Sequence, residues 1–114
     1  MEVSVSSQHA EVSNALREAA VEKIGRLDRF LDGMERAEIH FVEERNPRIA
    51  EREVCEVTME GHGRVVRVKV AARDQFSAID LAVEKLEQRL SRLKTRLVGR
   101  TRPRHPGPQV GVID

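Results

Sequence analysis

The stretch DQFSAIDLAVEKLEQRLSRLKTRL, residues 74–97, carries two periodic rows at once. Phe76, Ile79, Val83, Leu86, Leu90, Leu93 and Leu97 recur at alternating steps of three and four, the spacing of an amphipathic helix that buries one face. Lys85, Arg89, Arg92 and Arg96 recur at steps of four, three and four and make a second, basic row. At about 100° per residue this row lies roughly a quarter to a third of a turn from the apolar one. Asp80, Glu84 and Glu87 fall on the opposite flank, with Ser91 below them. A helix laced by its own ion pairs places Glu four residues before Lys or Arg on one face. Here the signs are mostly sorted to different sides. The basic row is left free to meet an anion, with a merely solvated face as the plain alternative.

Upstream, the period changes from 3.6 to 2. Arg64–Ala72 alternates with Val66, Val68 and Val70 on one side, and Arg52–Glu60 alternates with Cys55, Val57 and Met59 on one side. Gly61-His62-Gly63 between them predicts a hairpin. Because side chains alternate faces, the register must set Met59 against Val66, Val57 against Val68 and Cys55 against Val70. That register puts Glu56 opposite Lys69 on the outer face, a favourable cross-strand pair. Arg36–Arg45 is a further strand with Ala37, Ile39 and Phe41 inward and Glu38, His40 and Glu44 outward. NPRIAER, residues 46–52, is a loop, and Met1–Ser7 is a short strand with Val3 and Val5 on one face.

Between the first two strands, VSNALREAAVEKIGRLDRFLDG reads as one helix. Ser13 is its N-cap, Leu16, Ala20, Ile24, Leu27 and Leu31 its apolar face, and Asp32-Gly33 its end. Asp74 caps the second helix in the same way. The order is β-α-β-β-β-α. A right-handed first crossover makes strands one and two parallel, and the remainder an antiparallel meander. The outer sheet face is polar, so both helices must cover the other one. The prediction is an α+β fold over residues 1–97, with a four-stranded mixed sheet and two helices packed on one face. Residues 98–114 lose all periodicity, are rich in Pro and Gly, and carry Arg100, Arg102 and Arg104; they read as a flexible linker or tail.

A chain of 114 residues supports one core, and with three Phe, no Trp and no Tyr that core must be aliphatic. Phe30, Phe41 and Phe76 are all expected in it. The net charge of +1 conceals an asymmetry: residues 1–60 hold 8 Lys/Arg against 14 Asp/Glu, and residues 61–114 hold 12 against 5. A local anion-binding region on a soluble chain fits that distribution. The single Cys55 excludes an internal disulfide and a Cys-based zinc site, and it suits a reducing compartment. No apolar run approaches the roughly 20 residues needed to span a bilayer, and MEVSVSSQ is neither a signal nor a transit peptide, so a cytoplasmic location is expected.

Chemistry beyond binding finds little support. His9, His40, His62 and His105 have no metal-ligand spacing, and GHGR joins two strands rather than cradling phosphate between a strand and a helix. No enzyme, cofactor or metal is expected. Nor is there an aromatic platform for stacking bases, so any RNA must be held by phosphates and shape.

With these elements in place, the chain resembles the ribosome hibernation promoting factor family, also called ribosome-associated translation inhibitor or sigma-54 modulation protein. The resemblance covers residues 1–97 and is carried by QHAEVSNALREAAVEKIGRLDRF and, above all, by the pattern D-x-[FY]-x-A-I-D-x-x-x-x-K-L-x-x-x-L over residues 74–90. It implies binding to the small ribosomal subunit over the decoding region, blocking mRNA and tRNA and preserving idle ribosomes under stress. It also implies rRNA contacts from Lys85, Arg89, Arg92, Lys94 and Arg96 on the second helix, Lys23 and Arg26 on the first, and Arg73 just before the second. Long members append a linker and a C-terminal domain that pairs ribosomes. The tail here resembles the start of that linker, which implies the N-terminal domain of a long form, monomeric by itself, with a natural short form as the alternative. Two other readings compete: a protein adaptor whose basic row docks an acidic partner, and a double-stranded RNA binder. The latter is weakened by the lack of a lysine cluster at the start of the last helix.

Overall fold

The structure is a computed structural model that describes residues 1–101, with side chains through Val98. Its elements are β1 (Glu2–Gln8), α1 (Asn14–Gly25), a 3₁₀ turn (Arg26–Arg29), β2 (Met34–Glu43), β3 (Glu53–Gly61), β4 (Arg64–Ala72) and α2 (Gln75–Thr101). The sheet order is β1-β2-β3-β4, with β1 parallel to β2 and the rest antiparallel. The expected register of the β3–β4 pair is the observed one: Cys55↔Val70, Val57↔Val68 and Met59↔Val66 face inward, and Glu56↔Lys69 outward. Burial is what fixes it. A slip by one residue would turn every buried valine of β4 to water.

The β3–β4 hairpin is tight because its two central residues, His62 at φ 56° and Gly63 at φ 68°, are both left-handed, the geometry of a type I′ turn. Gly63 adopts it freely. His62 is held there by its Nε2–H, which donates to the Asp32 carbonyl at 2.6 Å. Gly61 is a glycine for a different reason. A Cβ there would lie 2.6 Å from the Met34 Cα, where β2 enters the sheet through a register shift.

Both helices cover one face. Leu16, Ala20 and Ile24 of α1 and Ala78, Ile79, Ala82, Leu86, Leu90 and Leu93 of α2 are buried against Ala37, Ile39, Phe41, Cys55, Val57, Met59, Val68 and Val70. No buried polar or charged side chain occurs among the described residues. The Ser13 hydroxyl accepts from the Leu16 N–H at 3.0 Å, and the Asp74 carboxylate accepts from the Ser77 N–H at 2.7 Å, so both helix starts are capped as expected.

Three details differ from the sequence reading. The first helix is not continuous: its α-helical part ends at Gly25 and a 3₁₀ turn over Arg26–Arg29 follows. Nothing lies within 4 Å of a Cβ at Gly25, so this glycine marks the change of helix type and not a close packing contact. Phe76 is 47% exposed, not core. It sits in the first turn of α2, rotated about 60° from Ile79 toward α1's side of the helix, where the sheet no longer covers it. Finally, α2 continues to Thr101, past Leu97. The rest of the expected tail, residues 102–114, lies outside the described residues.

Each edge strand has a helix arginine bonded to one of its carbonyls. Arg17 Nη1 donates to the Val5 oxygen of β1 at 3.3 Å, and Arg89 Nη1 donates to the Arg67 oxygen of β4 at 2.9 Å.

Candidate nucleic-acid interface

Because β4 leads into α2 through only Arg73 and Asp74, the helix returns antiparallel along the edge strand it has just left. Its apolar row faces the sheet, so one flank of the helix must look toward α1 and the other over the free edge of β4. The acidic flank looks toward α1: Asp80 forms an ion pair with Lys23 across the seam between the helices. The basic flank looks over the β4 edge, with the Arg89–Arg67 hydrogen bond tying the two elements together.

That bond sets the alignment of the rest. At about 1.5 Å per residue of helix, Lys85 to Arg96 spans roughly 16 Å. At about 3.3 Å per residue of strand, Arg64 to Lys69 spans roughly 17 Å. With Arg89 level with Arg67, Lys85 stands level with Lys69 and Arg96 with Arg64. The single helical row of the sequence is therefore half of a two-rowed basic band. Arg64, Val65, Val66 and Arg67 form one wall of a groove of about 300 Å³, and Arg89, Arg92, Leu93 and Arg96 form the other. No acidic residue among the described ones lines it. Among the described residues, none of Arg64, Lys85, Arg92 and Arg96 is in an ion pair.

The other expected contact residues are placed elsewhere. Lys23 is neutralised by Asp80, and Arg26, at the start of the 3₁₀ turn, reaches back to Glu22 of α1 at 3.5 Å. Both lie beyond the acidic flank of α2, so they do not extend the basic row. Lys94 is also off the row, rotated about 160° from Arg92 by the helical period. It lines a separate cavity of about 610 Å³ with Arg29, Phe30, Asp32 and His62. Arg73 is exposed in the turn before α2. The structure thus brings together Lys85, Arg89, Arg92 and Arg96 and adds Arg64 and Arg67, which the sequence reading did not single out. Their signal was weak, since two arginines on a strand acquire meaning only when the returning helix is laid beside them.

Elsewhere, Cys55 is buried in the core, where desolvation, aided by Glu56, pushes its thiol up to about 12. A thiol kept protonated to that degree is a poor nucleophile. At the far end of the sheet Glu43 and Glu53 stand opposite each other across β2 and β3. Partial burial, then the Glu43 carboxylate, raises the Glu53 pKa. No group of three or more His, Cys, Asp or Glu able to hold a metal occurs among the described residues. No helix among them is long and apolar enough to cross a membrane.

A domain of this topology, with a basic band beside its edge strand, has counterparts among known proteins. A ribosome hibernation promotion factor of Deinococcus radiodurans is 30% identical over 107 residues, which cover 94% of this chain and 56% of that protein. One of Mycobacterium tuberculosis is 34% identical over 98 residues, 83% of this chain and 44% of that protein. The chain thus spans about half the length of these relatives. Against the shorter ribosome hibernation promoting factor of Azotobacter vinelandii, at 28% identity, it covers 94% of the length. Among solved structures, the N-terminal domain of Thermus thermophilus Protein Y superposes with a TM-score of 0.69 at 29% identity, over 82% of this chain and 99% of that one. A ribosomal subunit interface protein from Coxiella burnetii shares the fold, with a TM-score of 0.73 at 23% identity over 82% of this chain and 98% of that one. The family model described as sigma 54 modulation protein / S30EA ribosomal protein matches residues 3–98, from β1 to the last described side chain of α2, and the chain belongs to that family.

Proposed function

We infer that this chain acts in ribosome hibernation by binding small-subunit rRNA through the basic flank of α2. The observation that carries the reading is the sorting of charge on that helix. Its acidic flank is turned to α1, while Lys85, Arg92 and Arg96 stay at the surface without carboxylate partners among the described residues. Exposed like charges aligned along one flank repel one another, and a polyanionic partner relieves that repulsion as the cations neutralise its phosphates and release their counterions. The names of the relatives, all ribosome hibernation factors, support the ribosome as the source of that polyanion.

The finer mechanism is steric. A folded domain seated over the decoding region occupies the path of mRNA and of the tRNA anticodon arms, and so excludes both without any catalytic group. Such a factor works in the cytoplasm, on ribosomes. The test is sedimentation through sucrose with purified small subunits and with whole ribosomes, across a salt series. The native chain is expected to co-migrate at low salt and to be released as salt rises, and the Lys85/Arg89/Arg92/Arg96→Glu variant to stay at the top of the gradient. Failure of the native chain to co-migrate at low salt would remove the reading and leave the adaptor, docking an acidic protein, as its replacement. Competition with mRNA and initiator tRNA for the same subunits then separates the decoding region from any other rRNA site.

A further inference from the structure

We propose that the groove between the β4 edge and α2 holds one single-stranded stretch of RNA backbone, with Arg64 and Arg67 of the strand contributing to binding as fully as the helix row does. The proposal deepens the RNA-binding reading above and rests on it.

The groove has Arg64 and Arg67 on one wall and Arg89, Arg92 and Arg96 on the other. The Arg67 Nε–H also donates to the Thr58 hydroxyl at 3.3 Å on the outer sheet face, a neutral partner that leaves its charge uncompensated. An anion between the two walls is reached from two sides. The phosphates of a duplex lie on the outside of a cylinder and meet one wall only, whereas a single strand enters a notch of about 300 Å³ and is flanked by both. The length argues against a small free anion. The band runs for roughly 16 Å along the helix, enough for several consecutive phosphates and far more than one phosphate fills.

The backbone of β4 adds donors. The Arg67 carbonyl points away from β3, since Arg89 reaches it, and in an antiparallel pair the N–H and C=O of alternate residues share one side. The N–H groups of Val65 and Arg67 therefore also point out along the groove. Its remaining surface is apolar, formed by Val65, Val66 and Leu93, with Val65 61% exposed. No aromatic side chain lines it, so it can support sugars but cannot select bases by stacking. Arg89 is the positioning residue: its bond to the Arg67 carbonyl fixes the spacing of the two walls.

The test uses fluorescence anisotropy of the whole 114-residue chain with labelled oligouridine and with a blunt RNA duplex of equal length, each titrated over a salt series. Tighter binding of the single strand at matched salt is expected, by about tenfold. Arg64→Gln and Arg67→Gln should each lower the slope of log K against log salt by about 0.7, the value for one single-strand phosphate contact. Arg64→Lys, which keeps the charge, should retain the native slope, and Lys94→Gln, off the band, should too. Circular dichroism melts of each variant separate loss of binding from loss of fold. Equal or tighter binding of the duplex would overturn the proposal, as would native slopes for both glutamine variants. If the chain sediments with subunits but shows either of those results, only the single-strand assignment falls. If it binds neither subunits nor any RNA, the ribosome reading falls with it.

Discussion

The two flanks of α2 are built from the same helix and have opposite fates. On one side Asp80 meets Lys23, and the charges of two helices cancel across their seam. On the other, Arg89 is spent on a strand carbonyl and its neighbours Arg92 and Arg96 find no carboxylate among the described residues. Counting charges along the chain cannot separate these cases, since Lys23 and Arg92 look alike in sequence. What separates them is which element the fold lays alongside. A basic residue becomes available to a ligand only where its neighbours leave it unpaired.

The most severe way to break the comparison is to remove what holds the flanks apart. Leu90 is fully buried on the apolar ridge between them. Leu90→Ala should cost about 2–5 kcal/mol in urea unfolding, and RNA binding should fail wherever the fold does. A sharper contrast leaves the fold intact. Arg92→Gln should reduce the salt slope of RNA binding by about 0.7, as for the strand arginines, while Lys23→Gln should leave it unchanged, because Lys23 already has its anion. Equal effects of the two would show that the Lys23–Asp80 pair opens on binding.

A smaller effect, of opposite sign, comes from the end of α1. Gly25 has helical dihedrals and open space around its Cα, so Gly25→Ala should stabilise the domain by up to about 1 kcal/mol in thermal melts without touching either flank. A comparable effect, again destabilising, is at the start of α2. The Ser77 N–H, then the Ser77 hydroxyl, hold the Asp74 carboxyl below the usual carboxylate range. A lowered folded pKa means that the cap stabilises fully above the ordinary Asp value and is lost as pH falls through the folded one. Asp74→Ala should lower the melting temperature by a few degrees at pH 7, and the gap to the native chain should close toward acid, which melts at pH 7 and below pH 3 would check.

Most of the fold was legible because burial leaves a period in the sequence. Alternation in β2, β3 and β4, the glycines of the hairpin and the two capping residues each have a local cause, and the β3–β4 register follows from matching buried faces. The 3₁₀ turn after Gly25 was not legible, since Leu27 keeps the apolar face going and conceals the change of pitch. Phe76 was misread as core because it falls on the apolar row by spacing, yet the row there extends past the sheet. The candidate site was half legible. Its helix row is periodic, but Arg64 and Arg67 belong to it only through tertiary contact. The departure of Lys94 from the row was readable on the helical wheel itself, because Arg92 and Lys94 are two residues apart and cannot share a face.

The paired edge arginines have one more consequence. A sheet open at both ends is a template onto which further strands can add, and unprotected edges of this kind are how small β-rich domains begin to aggregate. Here Arg17 occupies a carbonyl on one end and Arg89 on the other, each with a positive charge that an incoming copy would have to displace. The domain carries a stopper at each end of its sheet, and the one at β4 is part of the same basic band proposed to hold RNA.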